Sequence, residues 1–256
     1  MVVQKEAEHI IEEVISGKRK GIIEGSLIED LDALPIPDFQ LIDYSKKRYL
    51  DFFKLTPIST TRGCPRNCEF CSVSNIHGKS IRRRSVSHVI AEMRQRIDEG
   101  YKRLFFVDDN FSVQPEKRIP LLEAMIREKK QRKWFDSIIV QDEVPAILKG
   151  GDHYIKLLKA AGISTVMLGV ESFDEMKLQA MRKHHKKNES IQAIRLLRKH
   201  GIVIYAFGMA KPELDDEQSI RKQFKILKRE GVSYADMTIE TPVPGTSYWE
   251  KCKSKL

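Results

Sequence analysis

Short apolar runs rich in β-branched residues recur along the chain and alternate with longer segments of helical spacing. The runs predict six strands, over residues 56–60, 103–107, 137–140, 164–169, 203–208 and 234–240. Two intervening segments, residues 87–99 and 188–200, repeat apolar side chains every three or four positions and predict amphipathic helices. Four glycines stand before strands and predict helix ends: Gly100, Gly162, Gly201 and Gly231.

Regular alternation of strand and helix predicts a parallel sheet, because each right-handed crossover carries its helix back over one face of that sheet. We therefore expect an α/β fold, a partial (β/α)6 TIM-like barrel with parallel strands. In barrels of this kind the functional side chains lie at the carboxyl ends of the strands.

The first 50 residues do not follow this alternation. Residues 6–16 predict one amphipathic helix, and the prolines within residues 34–38 predict a linker. We expect two units, an N-terminal helix and linker over residues 1–50 and a barrel over residues 51–256.

Composition places the chain among globular proteins, with 256 residues of which 41% are hydrophobic and 32% charged. No apolar run approaches the ~20 residues that span a bilayer, and the acidic N-terminus does not resemble a signal peptide. We therefore expect a cytoplasmic protein with no membrane span. The net charge of +9 permits an anionic partner such as RNA. Because aromatic residues do not interleave with the basic clusters, solvated surface is the preferred interpretation over nucleic-acid binding.

Three of the four cysteines, Cys64, Cys68 and Cys71, follow the first predicted strand with the spacing C-x3-C-x2-C. Thiolates suit zinc or iron–sulfur clusters, and a structural zinc ion needs four ligands. His77 or the distant Cys252 could complete such a site, so a non-catalytic zinc-binding or scaffold protein is one alternative. Otherwise Cys252 is a free thiol. Three thiolates on a four-iron cluster leave one iron open for catalysis.

The cysteine spacing, with Phe70 directly before Cys71, resembles the radical S-adenosylmethionine (SAM) superfamily. Three further motifs stand in order at predicted strand ends: D-D-N-F at 108–111, G-V-E-S at 169–172 and P-V-P-G-T at 242–246. Together they are similar to the subgroup usually paired with an N-terminal cobalamin-binding domain. The resemblance covers roughly residues 32–246, and four motifs in order are more specific than any one of them.

The resemblance implies that Cys64, Cys68 and Cys71 are the catalytic cysteines and ligate a [4Fe–4S] cluster. The reduced cluster would cleave SAM to methionine and a 5′-deoxyadenosyl radical. It implies contacts with SAM from eight residues: Phe70, Asp108, Asp109, Glu171, Ser172, Lys183, Tyr205 and Pro244.

Each of these contacts has an expected role. Asp108 or Asp109 would face the amino group of SAM, although either could instead cap the following helix. Glu171 would accept the ribose hydroxyls, Ser172 would reach the carboxylate end, and Lys183, or the neighbouring Arg182, would pair with the carboxylate. Tyr205 on the fifth strand and Pro244 in the proline-rich turn would approach the adenine.

The sequence departs from the family in two places. Residues 209–215 replace the usual Gly-x-Pro-Gly-Glu/Asp-Thr, and the cobalamin signature D-x-H-x-x-G is missing. Residues 1–25 look like the end of a cobalamin-binding domain, so we expect any cobalamin to come from another chain. The resemblance also implies a ferredoxin or flavodoxin as electron donor. The substrate would be a small molecule, lipid or natural product that is methylated or cyclised, and an RNA-modifying radical enzyme is the other alternative.

Overall fold

The computed structural model describes residues 2–18, 20–41 and 55–255. The strands are β1 Val2–Gln4, β2 Ile22–Glu24, β3 Leu55–Ile58, β4 Thr61–Arg62, β5 Arg82–Arg83, β6 Arg103–Phe106, β7 Ser137–Glu143, β8 Ile163–Glu171, β9 Val203–Ala210 and β10 Tyr234–Ile239. The α-helices are α1 Ile11–Ile15, α2 Val73–Ile76, α3 Val86–Asp98, α4 Pro115–Gln131, α5 Val144–Ala161, α6 Glu175–Ala180, α7 Lys187–Lys199, α8 Glu217–Arg229 and α9 Ser247–Cys252. Short 3-10 helices cover Glu8–Ile10, Leu31–Ala33, Phe39–Leu41 and Lys253–Lys255.

A six-stranded parallel sheet organises the chain, with the strand order β3-β6-β7-β8-β9-β10. Each strand after β3 lies beside the one that precedes it in this series, and helices connect them. This is the strand order of a (β/α) barrel. All six predicted strands are confirmed, and the fold is the partial barrel that the alternation predicted.

The hydrophobic core lies between the sheet and the helices that cover it. Along β8, Val166, Leu168 and Val170 alternate with more exposed residues and are almost fully buried. This period of two is expected where one face of a strand packs against helices. The four glycines predicted to end helices all have positive φ, for example 98° at Gly162, where the chain leaves α5 for β8.

The N-terminal region differs from its prediction. Instead of one helix over residues 6–16, the chain forms a turn of 3-10 helix, Glu8–Ile10, followed by the short α1. Flanking it, β1 and β2 form a small parallel pair that the sequence did not predict. Strands of three residues are too short to show a recognisable alternation. The linker at residues 34–38 has no regular structure, as predicted, whereas the predicted unit boundary at residue 50 lies outside the described residues.

Glu6 anchors the N-terminal region to the barrel. Its buried carboxylate accepts hydrogen bonds from the Ile28 amide (2.6 Å), from two nitrogens of Arg82 (2.7 and 2.8 Å) and from His77 Nδ1 (2.9 Å). Burial opposes ionisation of Glu6, but these donors prevail and lower its pKa to about 2. The ionised carboxylate therefore stabilises the contact between the N-terminal region and β5.

No helix in the described ranges is both long and apolar enough to cross a membrane.

The substitution Glu6→Gln should lower the free energy of unfolding by about 3 kcal/mol at pH 7, because it leaves Arg82 buried without a counter-charge. Since the folded-state pKa lies below the ordinary value of 4.5, this contribution is present above pH 4.5 and disappears as the pH falls toward 2. Urea denaturation at pH 7 and pH 3 measures both effects. Glu24→Gln, in an exposed pair with Lys5, is the matched control and should leave the midpoint unchanged. Equal midpoints for wild type and Glu6→Gln at pH 7 would contradict this role.

Candidate functional site

The three motif cysteines lie on the loop of residues 63–81, between the antiparallel strands β4 and β5. Gly63 opens the loop with φ 96°, and a Cβ there would lie 2.2 Å from the Ser80 carbonyl oxygen. Backbone hydrogen bonds fix the course of the loop, from Cys64 N to the Gly78 oxygen and from Cys71 N to the Cys68 oxygen, both 3.2 Å. The local backbone therefore requires glycine at position 63 and presents the cysteines together.

Cys64, Cys68 and Cys71 line one cavity of about 250 Å³. Its other walls come from the carboxyl ends of strands β7, β8 and β9 and from the loop after β6. The apolar side chains of this lining are Phe70, Val73, Met167 and Phe207. Its charged side chains are Arg66, Asp109, Asp142, Glu143, Glu171 and Lys183. Phe70, one of the predicted SAM contacts, lies in this lining.

The thiols are suited to bind metal rather than to act as nucleophiles. Burial raises the pKa of Cys64 to about 11 and also raises the pKa values of Cys68 and Cys71. A neutral thiol is a weak nucleophile, whereas coordination to a metal removes its proton. In the described ranges, no three His, Cys, Asp or Glu side chains are arranged to hold a single metal ion. A four-iron cluster takes each thiolate on a different iron atom, so its ligands stand farther apart, and the three thiols beside a cavity fit it.

The two aspartates after β6 have different environments. Asp108 is fully buried and accepts hydrogen bonds from the amides of Thr60 (2.6 Å) and Thr61 (3.0 Å) and from Arg118 (2.7 Å). It is not part of the cavity lining. Asp109 lines the cavity, accepts a hydrogen bond from Gly63 N at 3.3 Å, and has a pKa raised by burial. Of the two predicted contacts, the structure places only Asp109 at the cavity, and α4 begins at Pro115, too late for either aspartate to cap it.

Glu171 and Lys183 form an ion pair in the cavity wall, with Lys183 Nζ 3.2 Å from Glu171 Oε1. The register of β8 against β9 shifts just before Glu171, whose φ is 59°, and Gln223 Nε2 donates to its carbonyl oxygen at 2.7 Å. This unusual backbone directs the side chain away from the regular strand pattern. Burial opposes the charge on Lys183, but the adjacent Glu171 prevails and raises its pKa. The two residues expected to bind separate parts of SAM are therefore paired with each other.

Besides Asp108, three predicted contacts lie outside the cavity lining. The Ser172 hydroxyl accepts a hydrogen bond from Asp174 N at 3.1 Å. The Tyr205 ring packs against Phe207 and Tyr234, at centroid distances of 5.3 and 6.2 Å. Pro244 is exposed on the turn before α9. Their expected roles at SAM lack support from this geometry.

Several cavity residues carried no sequence prediction. Arg66, inside the cysteine loop, makes a bidentate ion pair with Glu143, in which Arg66 Nε lies 2.8 Å from Glu143 Oε2. Glu143 and its neighbours Gln141 and Asp142 end β7, a strand whose end matched no motif. The rule that barrel strand ends carry function could have identified them, because β7 is one of the predicted strands.

Comparison with known proteins identifies the family and several relatives of this chain. The sequence pattern of the Radical SAM superfamily matches residues 58–222. Over the whole chain, 28% of residues are identical to bacteriochlorophyllide d C-12(1)-methyltransferase of Chlorobaculum tepidum, of which the match covers 56%. Over 90% of the chain, 26% are identical to the anaerobic magnesium-protoporphyrin IX monomethyl ester cyclase of Rubrivivax gelatinosus, of which the match covers 40%. The chain thus spans about half the length of these relatives or less.

The fold is also that of solved structures. A radical S-adenosylmethionine methyltransferase, TsrM, from Kitasatospora setae, with cobalamin and a [4Fe-4S] cluster bound, superposes with a TM-score of 0.70. The match covers 81% of this chain and 38% of that one at 16% sequence identity. At this identity the likeness establishes the fold of the barrel.

The two aspartates should respond oppositely to removal of their charge. Asp108→Asn should lower the free energy of unfolding by about 3–5 kcal/mol, because it leaves Arg118 buried without its counter-charge. Asp109→Asn should leave that free energy unchanged or slightly higher, because burial already disfavours its ionised form. Urea denaturation of the cluster-free protein at pH 7 compares the two. A larger loss for Asp109→Asn than for Asp108→Asn would reverse this assignment.

Proposed function

This chain belongs to the radical SAM superfamily, and from that premise we propose that it binds a [4Fe–4S] cluster through Cys64, Cys68 and Cys71 and cleaves SAM. One observation carries the proposal: the three thiols share a single cavity with an acidic residue, Asp109, and an ion pair, Glu171 with Lys183. The reduced cluster, when bound, supplies the electron that divides SAM into methionine and a 5′-deoxyadenosyl radical.

The protein's own residues hold SAM in place. Asp109 accepts a hydrogen bond from the amino group, and Lys183 pairs with the carboxylate. Glu171 accepts the ribose hydroxyls, so its pairing with Lys183 has to loosen as SAM enters. Such positioning matters because reacting atoms must approach within ~3–3.5 Å.

Apolar side chains protect the reaction. Phe70, Met167 and Phe207 line the same cavity as the cysteines. Their rings and thioether exclude water from the place where the radical would form, which limits side reactions.

The relatives support a class of substrate. Since the named relatives are a methyltransferase and a cyclase, we take methyl transfer to, or cyclisation of, a small molecule as the overall reaction. Tetrapyrroles, lipids and natural products are the candidate substrates. These relatives favour a small-molecule substrate over RNA, and the family favours an enzyme over a zinc-binding scaffold.

Two partners complete the proposed system. A ferredoxin or flavodoxin delivers the electron. Cobalamin, if the reaction uses it, is carried by a separate chain, and residues 1–50 form the junction to such a domain. The cobalamin bound to TsrM supports the use of cobalamin.

Reconstituted anaerobically with iron and sulfide and then reduced, the protein should convert SAM to 5′-deoxyadenosine, measured by liquid chromatography. Cys68→Ala should reduce the rate of 5′-deoxyadenosine formation by more than about 100-fold, because one iron loses its thiolate. Cys252→Ala removes the cysteine outside the loop and should keep both cluster and activity. Failure of the wild-type protein to assemble any iron–sulfur cluster would contradict the proposal, as would equal loss in the two variants.

A further inference from the structure

The charged side chains of the cavity wall are mostly balanced against one another. In the described part of the chain, two cationic side chains line the cavity, and each already has a carboxylate partner: Arg66 with Glu143, and Lys183 with Glu171. Asp142 shares this lining but has no ion-pair partner among the described residues. A buried carboxyl without a cation is costly unless a ligand supplies the missing charge.

Asp142 is held in a fixed orientation at the end of β7. Its Oδ1 accepts a hydrogen bond from the Glu143 amide (2.9 Å). Ser112 adjoins the carboxyl and lowers its pKa, and Ser112 Oγ lies 2.7 Å from the Tyr154 hydroxyl. All three side chains of this chain of contacts are more than nine-tenths buried. Asp142 Oδ2 remains, buried and without a partner among the described residues.

A second unsatisfied oxygen lies in the same wall. Asn110 Oδ1 is buried without a described partner, and Asn110 also lines the cavity. The two strand ends are joined by a hydrogen bond from Phe111 N to the Gln141 oxygen, 2.9 Å long. Buried polar atoms are nearly always paired in native proteins, so two such oxygens beside one cavity indicate a place where a ligand binds.

The surroundings of Asp142 make its charge responsive to what enters the cavity. Burial raises the pKa of Asp142 to about 7, with the adjacent Glu143 acting in the same direction. The Glu143 amide donates to it, and Ser112 and the more distant Arg118, which Asp108 engages, both lower its pKa. Tyr154 contacts Ser112. A fixed positive charge in the cavity would therefore shift Asp142 to its ionised form.

We propose that Asp142 recognises the sulfonium charge of SAM and thereby binds SAM in preference to its neutral thioether, S-adenosylhomocysteine. The inference rests on the proposed function and assigns a role to the end of β7. When the sulfonium enters, the Asp142 carboxyl releases its proton to solvent and the carboxylate balances the positive charge. S-adenosylhomocysteine, which remains after SAM has given up its methyl group, carries no such charge and is released more readily.

The other cavity carboxyls cannot make this distinction. Glu143 and Glu171 already balance Arg66 and Lys183. Asp109 is assigned to the amino group, which SAM and S-adenosylhomocysteine share. Asp109→Asn is therefore the matched control, because it should weaken both ligands by the same factor.

The test is calorimetric titration of the anaerobically reconstituted protein, with its cluster kept oxidised so that no turnover occurs. SAM and S-adenosylhomocysteine are titrated near pH 7 in buffers of different ionisation enthalpy, which reports protons released on binding. Wild type should release more protons with SAM, the excess approaching about one, since protons lost from the shared amino group cancel in the comparison. Its preference for SAM should increase as the pH rises through 7 and then level off.

Asp142→Asn should remove the excess proton release and the pH dependence, and should reduce the SAM preference about tenfold, the factor that one pKa unit represents. Equal proton release with the two ligands in wild type overturns the inference, and this measurement needs no variant to fold. An Asp142→Asn protein with the wild-type preference also overturns it. If wild type assembles its cluster but binds neither ligand, the proposed function itself fails and the inference with it.

Discussion

Burial of charge at the carboxyl ends of the parallel strands is the constraint on which the rest of this structure depends. The barrel gathers acidic and basic side chains into a region with little water, where an unbalanced charge is costly. The ion pair of Asp108 with Arg118 joins the loop after β6 to α4, outside the cavity lining. Arg66 joins the cysteine loop to β7 through Glu143, within the lining. Ion pairs therefore hold the elements together, and one of these two also forms part of the cavity wall.

The same constraint connects fold to chemistry. Once the structural pairs are formed, the thiols, Asp109 and Asp142 in the cavity lining have no ion-pair partner among the described residues. These are the groups that a metal cluster and a cationic ligand would satisfy. The raised pKa values of Cys64 and Asp142 have one physical origin, which is burial. The burial that makes these groups hard to ionise is therefore also what favours binding of a metal cluster and a cationic ligand beside them.

The sequence predicts the barrel well because each strand and helix has a local signal. All six strands of the sheet and the cysteine loop follow from β-branched runs, helical spacing and residue order.

The sequence predicts less well which of two neighbouring residues lines the cavity. Successive residues of an extended chain point to opposite sides, so Asp108 and Asp109 face different surroundings after β6. Asp108 pairs with Arg118, ten positions later in the sequence, and Asp109 lines the cavity. Tyr205 and Phe207 share a side of β9, but only Phe207, nearer the carboxyl end, lines the cavity. The end of β7 was missed because its residues match no motif and act through contacts distant in sequence.

Electron paramagnetic resonance of the reconstituted and reduced protein, recorded before and after addition of SAM, tests the central claim most directly. We expect about four irons per chain and the signal of a reduced [4Fe–4S] cluster whose shape changes with SAM, because three thiolates leave one iron free to bind it. A reduced-cluster signal that SAM does not change, or a protein that retains zinc and assembles no cluster, would contradict the account.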